Sequence, residues 1–280
     1  MTEGFLLVAK PTGITSHDAV DRVRRALGER KVGHAGTLDP LAEGLLLMGV
    51  GRGTRLLRFL ADLDKEYEGG ARLGIATDTL DATGAVVATN PVDVGEDALR
   101  AALAALTGAV SQVPPDFSAV KVGGEPLYRA ARAGRPTRAA ARIVRVDAFD
   151  LLGLRRPDFD FRVVCSGGTY VRSLVADAGA ALGCGAHLTR LVRTRIGPFR
   201  LASATPPDDP GEPLPLDRAL AHLPAVTLQE EEVRPARNGV ALGPAGLDGP
   251  YTVRDPGGAL IGVYRDRGAK AVPEVIVVPS

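Results

Sequence analysis

The sequence predicts an α+β fold built from one large domain and a small C-terminal β domain. Strand-like and helix-like patterns alternate over residues 1–205. The segment 206–223 begins with a run rich in proline and acidic residues, typical of a linker, and ends in a short helix near 216–222. The stretch 224–280 is rich in Val and Ile, is punctuated by Gly and Pro, and is expected to be wholly β.

The first 50 residues predict two strands around one helix. Residues 4 to 9 are typical of a buried strand, which ends at the turn-forming run Lys10-Pro11-Thr12-Gly13. Ser16 is the expected N-cap of a helix whose apolar residues follow a 3.6-residue period and which stops at Gly28. A glycine-rich loop and an apolar strand near 45–50 follow.

The remainder of the large domain continues this alternation. We expect, in order, a helix over 54–60, a strand over 65–76, a polar loop over 77–84, a helix over 97–106, strands over 142–152 and 159–165, a helix ending near 182 and a strand over 187–195. Residues 112 to 140 differ, because they are basic, poor in apolar side chains and interrupted by glycine and proline. They predict a mobile excursion around a short helix at 126–133.

Composition favours a cytoplasmic chain that needs no metal. Cys165 and Cys184 are the only cysteines, which predicts reduced thiols and is too few for a structural zinc site. His34 and His187 are too scattered to complete one. No apolar run approaches the roughly 20 residues of a membrane span, and the N-terminus has no signal-peptide pattern.

Net charge is only +1, but the arginines are concentrated. One basic run lies over 121–145, where Glu125 is the only acid. A second lies over 190–200 and contains no acid. Such runs are typical either of a polyanion site or of a solvated arginine-rich surface. On the first interpretation, 121–140 grips a polyanion such as RNA, and the expected backbone contacts are Lys121, Arg129, Arg132 and Arg193.

The most informative stretch surrounds Asp39. Glycines at 33, 36 and 44 allow tight turns, and Pro40 disfavours a helical conformation for Asp39. Leucines on both sides would bury the flanks and leave one carboxylate displayed. Such a side chain is a candidate nucleophile or general base, although an Asp-Pro pair is also common in ordinary turns.

The Asp39 loop and four further motifs together resemble the tRNA pseudouridine synthase B family. The resemblance covers nearly the whole chain in order and spacing. The motifs are Gly33 through Leu46, Lys10 through Ser16, Lys65-Glu66-Tyr67 with Arg72-Leu73-Gly74 and Thr77-Asp78-Thr79, Pro114 through Lys121, and Cys165 through Arg172. It implies a pseudouridine synthase catalytic domain with a central, mixed, largely antiparallel sheet flanked by helices, followed by a small PUA-like β domain.

The resemblance also implies the catalytic residues. Asp39 matches the essential aspartate, Tyr67 the tyrosine that packs on the target uracil, and Arg172 the arginine that pairs with the aspartate. The Arg172 guanidinium is expected to keep Asp39 anionic, unless the two form only a structural ion pair. Three routes stay open: attack of Asp39 on C1′, attack on C6, or removal of the 2′ proton to give a glycal.

Four further residues are implied to bind the substrate: Lys10, His34, Tyr170 and Leu191. The chain departs from the family pattern at Glu43, where a small polar residue is usual, and at Gly167, where Lys or Ser is frequent.

The implied reaction is isomerisation of uridine 55 in the T loop of tRNA. It involves no redox change, so no cofactor is expected, and the chain lacks a phosphate-binding loop of the Walker type. The expected partner is the T arm of tRNA, with no membrane, no obligatory protein partner and a monomeric enzyme. An RNA-folding aid and a guide-RNA-dependent relative acting on ribosomal RNA remain alternatives.

Overall fold

The computed structural model describes residues 3–118, 120–135, 137 and 139–277, with the side chain of Arg132 outside that description. The strands are β1 (Gly4–Lys10), β2 (Val32–Ala35), β3 (Glu43–Val50), β4 (Lys65–Leu73), β5 (Ile75–Thr77), β6 (Val86–Thr89), β7 (Gly108–Gln112), β8 (Lys121–Val122), β9 (Glu125–Pro126), β10 (Arg142–Arg155), β11 (Asp158–Cys165), β12 (Ala186–Ile196), β13 (Phe199–Arg200), β14 (Ala225–Thr227), β15 (Pro250–Arg254), β16 (Leu260–Arg267) and β17 (Lys270–Ile276).

The predicted helices are present, the one expected over 54–60 as a 3₁₀ helix, and one further helix lies in the C-terminal domain. The helices are α1 (Ser16–Leu27), α2 (Glu96–Ala104), α3 (Leu127–Arg132), α4 (Val171–Ala181), α5 (Leu216–Ala219) and α6 (Glu230–Arg237), with 3₁₀ helices at Gly51–Phe59 and Leu201–Ser203. No helix in the described ranges combines the length and the apolar character that a membrane crossing requires.

A nine-stranded sheet forms the centre of the large domain. Its main path runs β1-β3-β12-β4-β11-β10-β7, with β2 paired to β3 and β13 to β12. All of these pairings are antiparallel except β12 with β3. The expected mixed, largely antiparallel sheet is therefore confirmed. The parallel pair places the start of β3, just after the Asp39 loop, beside Arg193.

Close contact between β3 and β12 depends on Gly44. A Cβ atom at this position would lie 2.4 Å from the main-chain oxygen of Arg193, and its φ of +107° disfavours other residues. The glycine thus brings the Asp39 loop and the middle of the sheet together.

The start of α1 corrects the predicted cap. Thr15, not Ser16, is the N-cap, and its hydroxyl accepts a hydrogen bond from the Asp18 amide while Asp18 accepts from the Thr15 amide. The Ser16 hydroxyl faces the Asp39 loop instead. Gly28 ends the helix in the left-handed conformation, as predicted.

The C-terminal domain has a four-stranded sheet in the order β14-β15-β16-β17. The expectation that 224–280 is wholly β is wrong, because α6 lies between β14 and β15. Its sequence signal is a capping box formed by Gln229 and Glu232 with three glutamates in the first turn.

The first 3₁₀ helix fastens the two domains together. Arg52, Arg55 and Arg58 recur every third residue, the period that brings side chains onto one face of such a helix. They donate to the main-chain oxygens of Val277, Ile276 and Glu274, respectively.

Leu56 of the same 3₁₀ helix lies in an apolar cluster with Leu220, Val263, Val275 and Val277.

Residues 112 to 140 contain the predicted short helix as α3, preceded by the small β8–β9 hairpin. Leu127 and Ala130 are buried, so the excursion has more apolar anchoring than its composition suggested. Arg138 and the side chain of Arg132 lie outside the described residues.

The interdomain cluster predicts a stability difference between two leucines. Leu56→Ala should lower the free energy of unfolding by about 2–5 kcal/mol, because it leaves a cavity between the domains. Leu152→Ala, at an exposed position of β10, should change it by less than about 0.5 kcal/mol. Urea unfolding measures both, and equal losses would contradict the assignment of Leu56 to the domain junction.

Candidate active site

The Asp39 loop is held by hydrogen bonds from the α1 region. Ser16 Oγ accepts from the Leu38 amide at 2.8 Å and donates to the Leu38 oxygen at 3.0 Å. The Gly13 amide donates to the Pro40 oxygen at 2.8 Å. Leu38 itself is buried in the main core. These contacts fix the backbone on both sides of Asp39.

Arg193 holds the same loop from β12. Its Nε donates to the Leu45 oxygen at 2.8 Å and its Nη2 to the Gly36 oxygen at 2.9 Å, and the side chain is only 1% exposed. The prediction that Arg193 contacts RNA backbone is therefore wrong, because its guanidinium is used inside the protein. The long Arg193 side chain reaches from β12 to the carbonyl groups of the Asp39 loop and of the β3 start that follows it.

Lys10 is likewise an internal anchor. Its Nζ donates to the oxygens of Pro11 and Ile14, and it is buried. Burial lowers the pKa of Lys10 to about 8. The expected substrate contact is corrected to a structural one, because the ammonium is taken up by its own turn.

Arg172, in the first turn of α4, meets Asp39. The Arg172 Nε lies 2.9 Å from Asp39 Oδ2, in an ion pair whose N–H is not aligned for a hydrogen bond. Arg172 is 4% exposed, whereas the Asp39 side chain is 37% exposed. The pair is thus buried on the arginine side and open on the carboxylate side.

Asp81 is a second carboxylate beside Arg172, which the sequence analysis missed. Its Oδ2 lies 3.6 Å from Arg172 Nη1, and its Oδ1 accepts from the hydroxyls of Thr79 and Thr83. Leu80, next to it, has a φ of 63°, a strained value for leucine. The threonine-rich loop 77–84 was the available signal, but it resembles any polar turn.

The surroundings of Asp39 raise its pKa above the ordinary value of an aspartate. Desolvation by burial is the largest cause, and the negative charge of Asp81 acts in the same direction. Arg172 and Lys10 oppose it. The expectation that Arg172 favours the anion is correct in sign, but the arginine does not outweigh burial.

Tyr67 and Leu191 lie on the adjacent central strands β4 and β12, in the same core cluster as Leu38. Burial raises the pKa of the Tyr67 phenol, while Arg193, whose guanidinium carbon is 6.0 Å from the ring centroid, opposes the shift. Tyr67 is thus a protonated phenol near neutral pH. The negative charge of nearby Asp39 also raises the pKa of Tyr67.

His34 and Tyr170 are both half-buried. The pKa of His34 is lowered, chiefly by burial and secondarily by the positive charge of Arg193. Its Nδ1 is buried and has no hydrogen-bond partner within the described residues. Tyr170 precedes α4 directly and carries the guanidinium of Arg142 at 5.1 Å from its ring centroid.

The two basic runs are less available to RNA than the sequence suggested. Arg145 pairs with Asp64, Arg190 with Asp160 and Arg195 with Glu66. These acids are distant in sequence and reach the arginines across the sheet. Lys121 and Arg129 are exposed and make no ion pair with any residue in the described ranges.

Gly167, one of the two departures from the family pattern, has a packing reason. A Cβ atom there would lie 2.8 Å from the Ala61 oxygen and from the Asp62 Cα. Across the part of the chain that the structure covers, no three His, Cys, Asp or Glu side chains form a group that could hold a metal ion.

The charges around Asp39 predict the effect of removing Asp81. Asp81→Asn should lower the pKa of Asp39, because the like charge disappears while the Asn oxygen still accepts from Thr79 and Thr83. A ¹³C NMR titration of the Asp39 carboxyl measures this shift. Asp78→Asn, in the same loop, should leave it unchanged, and an unchanged or higher pKa in Asp81→Asn contradicts the described geometry.

Three family models match successive parts of the chain. The model described as "TruB family pseudouridylate synthase (N terminal domain)" matches residues 24–171. Models for the "tRNA pseudouridylate synthase B C-terminal domain" and for "tRNA Pseudouridine synthase II, C terminal" match residues 172–208 and 223–278.

Curated relatives match along the full length. The tRNA pseudouridine synthase B of Mycobacterium sp. (strain KMS) is 45% identical over 99% of this chain and 97% of the relative. That of Thermobifida fusca (strain YX) is 44% identical over 100% of both chains.

Solved structures show the same architecture. The structure titled "Crystal Structure of a Cbf5-Nop10-Gar1 Complex" contains a chain with 26% identity and a TM-score of 0.76, covering 99% of this chain and 85% of that one. The archaeal box H/ACA sRNP Nop10-Cbf5 complex gives 25% identity and a TM-score of 0.75, with 99% and 86% covered. With three matching models, full-length relatives and a shared fold, the chain belongs to the TruB family of pseudouridylate synthases.

Proposed function

We propose that this protein isomerises uridine to pseudouridine at position 55 in the T loop of tRNA. The observation that carries the proposal is the Asp39–Arg172 pair, with a half-open carboxylate facing out and a buried guanidinium behind it. The names of the curated relatives supply the substrate class. We also propose a monomeric enzyme that acts on free tRNA in the cytoplasm.

The target uracil has to leave the stacked T loop before Asp39 can reach the nucleoside. Extrusion of a base costs a few kcal/mol. Stacking on an aromatic ring returns about 1–3 kcal/mol, and Tyr67, on which the charge of Asp39 acts, is the proposed stacking residue. Contacts to the RNA backbone supply the remainder, with exposed Lys121 and Arg129 as the candidates on the excursion.

Asp39 then attacks C1′, attacks C6 or removes the 2′ proton, and each route begins with an ionised carboxylate. The glycosidic bond breaks with its electron pair on the uracil, and the base turns. C5 then bonds to C1′ while Asp39 is released from C1′ or C6, or returns the proton to C2′. The C5 proton leaves last and passes to solvent water. Because burial raises the pKa of Tyr67, little tyrosinate is present near neutral pH to accept this proton, so stacking is its proposed main role.

The first test is pseudouridine mapping after incubation with an unmodified tRNA transcript. Wild type should modify uridine 55, and Asp39→Asn should lose activity by more than about a thousandfold while still binding tRNA. Asp78→Asn, whose carboxylate lies in the nearby exposed loop, should stay active. Product at another position, or turnover by Asp39→Asn at about a hundredth of the normal rate, contradicts the proposal.

A second test separates the two roles of Tyr67. Tyr67→Phe retains the ring and removes the hydroxyl, so it should retain most of the rate of base extrusion and bond cleavage. Tyr67→Ala removes the stacking surface and should lose about 10- to 100-fold in single-turnover rate. Rapid-quench measurements compare the variants, and a loss in Tyr67→Phe as large as in Tyr67→Ala would assign the effect to the hydroxyl.

A third test concerns the excursion. Affinity for tRNA should fall steeply with salt, because phosphate contacts release counterions. The double variant Lys121→Ala, Arg129→Ala should bind more weakly and with a shallower salt dependence. Arg100→Ala, an exposed arginine paired with Glu96, serves as control. A salt dependence equal to that of wild type would remove these two residues from the RNA interface.

A further inference from the structure

The excursion begins and ends at one pair of residues. Gln112 is the last residue of β7 and Arg142 the first of β10, and they are direct partners in the antiparallel β7–β10 pairing. We refer to this pair as the neck. Both neck side chains point to the turn before α4, and the reaction scheme above uses neither of them.

Gln112 clamps the main chain of Tyr170. Its Nε2 donates to the Tyr170 oxygen at 3.0 Å, and its Oε1 accepts from the Tyr170 amide at 2.7 Å. Gln112 is 0% exposed, so both bonds are shielded from water. Tyr170 is the N-cap of α4, and no side chain within α4 caps it. The planar amide therefore fixes the entry into the helix.

Arg142 holds the same turn from the other strand. Its Nη2 donates to the Gly168 oxygen, and its guanidinium lies over the Tyr170 ring. Residues 168 to 170 are thus bound by both sides of the neck. Arg172 lies two residues further along the chain, so this turn sets its position.

The excursion also contacts Arg172 directly. Arg172 Nη2 donates to the Phe117 oxygen at 2.9 Å, and its Nη1 donates to the Thr79 oxygen at 2.8 Å. With both terminal nitrogens engaged, only Nε is directed at Asp39. A shift of the neck would move the helix start relative to Phe117 and Thr79, and the ion pair would lose its geometry.

We propose that Gln112 and Arg142 are positioning residues that set Arg172 against Asp39. The inference rests on the proposed function and names two groups that serve the same site without touching the substrate nucleoside. Displacements of about 1 Å in such a site can lower rates by 10²-fold.

Because Gln112 is neutral, its replacement has a specific expected effect on the titration of Asp39. The charged and titratable groups that act on Asp39 are Arg172, Asp81 and Lys10, with Tyr67 nearby. Gln112 has no charge, so its removal changes the titration of Asp39 only by moving one of these groups. If Arg172 moves away, the pKa of Asp39 rises, and the acid limb of the rate profile moves to higher pH.

The experiment compares Gln112→Met with Ser111→Ala, at the exposed neighbouring position of the same strand. Single-turnover rates with an unmodified tRNA transcript are measured across pH, together with the dissociation constant. Gln112→Met should lower the rate about 10- to 100-fold, change tRNA affinity less than about twofold, and move the acid limb to higher pH. Ser111→Ala should match wild type.

Arg142 provides a second variant at the half-exposed side of the neck, which serves if Gln112→Met does not fold. Arg142→Met should show the same pattern, and Arg142→Lys should recover part of the rate, because a lysine can still donate to the Gly168 oxygen. A ¹³C NMR titration of Asp39 in the neck variants reports the rise in its pKa without any need for activity.

The outcomes separate the two proposals. A wild-type protein that forms no pseudouridine in tRNA overturns the proposed function, whereas the Asp39 titration still tests the neck. If the wild type is active and the neck variants leave the acid limb of the rate profile and the Asp39 pKa unchanged, only the positioning role is overturned. A loss confined to melting temperature or to tRNA affinity has the same meaning, because it would assign the neck a purely structural role.

Discussion

The ion pair between Asp39 and Arg172 is the interaction on which the site depends. A guanidinium removed from water is costly unless several acceptors surround it. Arg172 has Asp39, Asp81 and the main-chain oxygens of Thr79 and Phe117. These four groups come from three separate segments of the chain, so a single side chain ties the catalytic loop, the 77–84 loop and the excursion together. The carboxylate receives charge compensation from one side and stays accessible from the other.

The central sheet makes this arrangement possible. Gly44 lets β3 approach β12 closely, and Arg193 on β12 binds the carbonyls of the loop that precedes β3. Ser16 hydrogen-bonds the Leu38 main chain in the same loop, and Lys10 holds the neighbouring turn, whose Gly13 amide donates to the Pro40 oxygen. Two buried cations that the sequence assigned to RNA or substrate thus hold the loop and the turn beside it. The cost of desolvating them is offset by hydrogen bonds to main-chain oxygens that would otherwise be unsatisfied.

Sequence reasoning identified the elements and the Asp39 loop from local signals, and the resemblance to the family implied that Arg172 pairs with Asp39. Asp39 stands in a glycine- and proline-framed loop, and most helices have clear periodicity and end signals. Sequence reasoning failed where the surroundings of a residue come from distant parts of the chain. Arg193 donates to carbonyl groups of a loop far from it in sequence, Lys10 is buried beside β3, and the distant acids that pair with Arg145, Arg190 and Arg195 lie on other strands or next to one. The contacts of Gln112 with Tyr170 and of Asp81 with Arg172 have no sequence signature, because these partners lie far apart in the chain and only the fold brings them together.

The proposed function requires Asp39 to reach the target nucleoside while it remains paired with Arg172. The most direct measurement is a crystal structure of the Asp39→Asn variant bound to an unmodified tRNA T arm. We expect the uridine outside its stack, against Tyr67, with the residue 39 side chain in contact with its ribose or base and Arg172 still beside it. A uridine that remains stacked in the T loop, or one that is bound away from residue 39, would contradict the account.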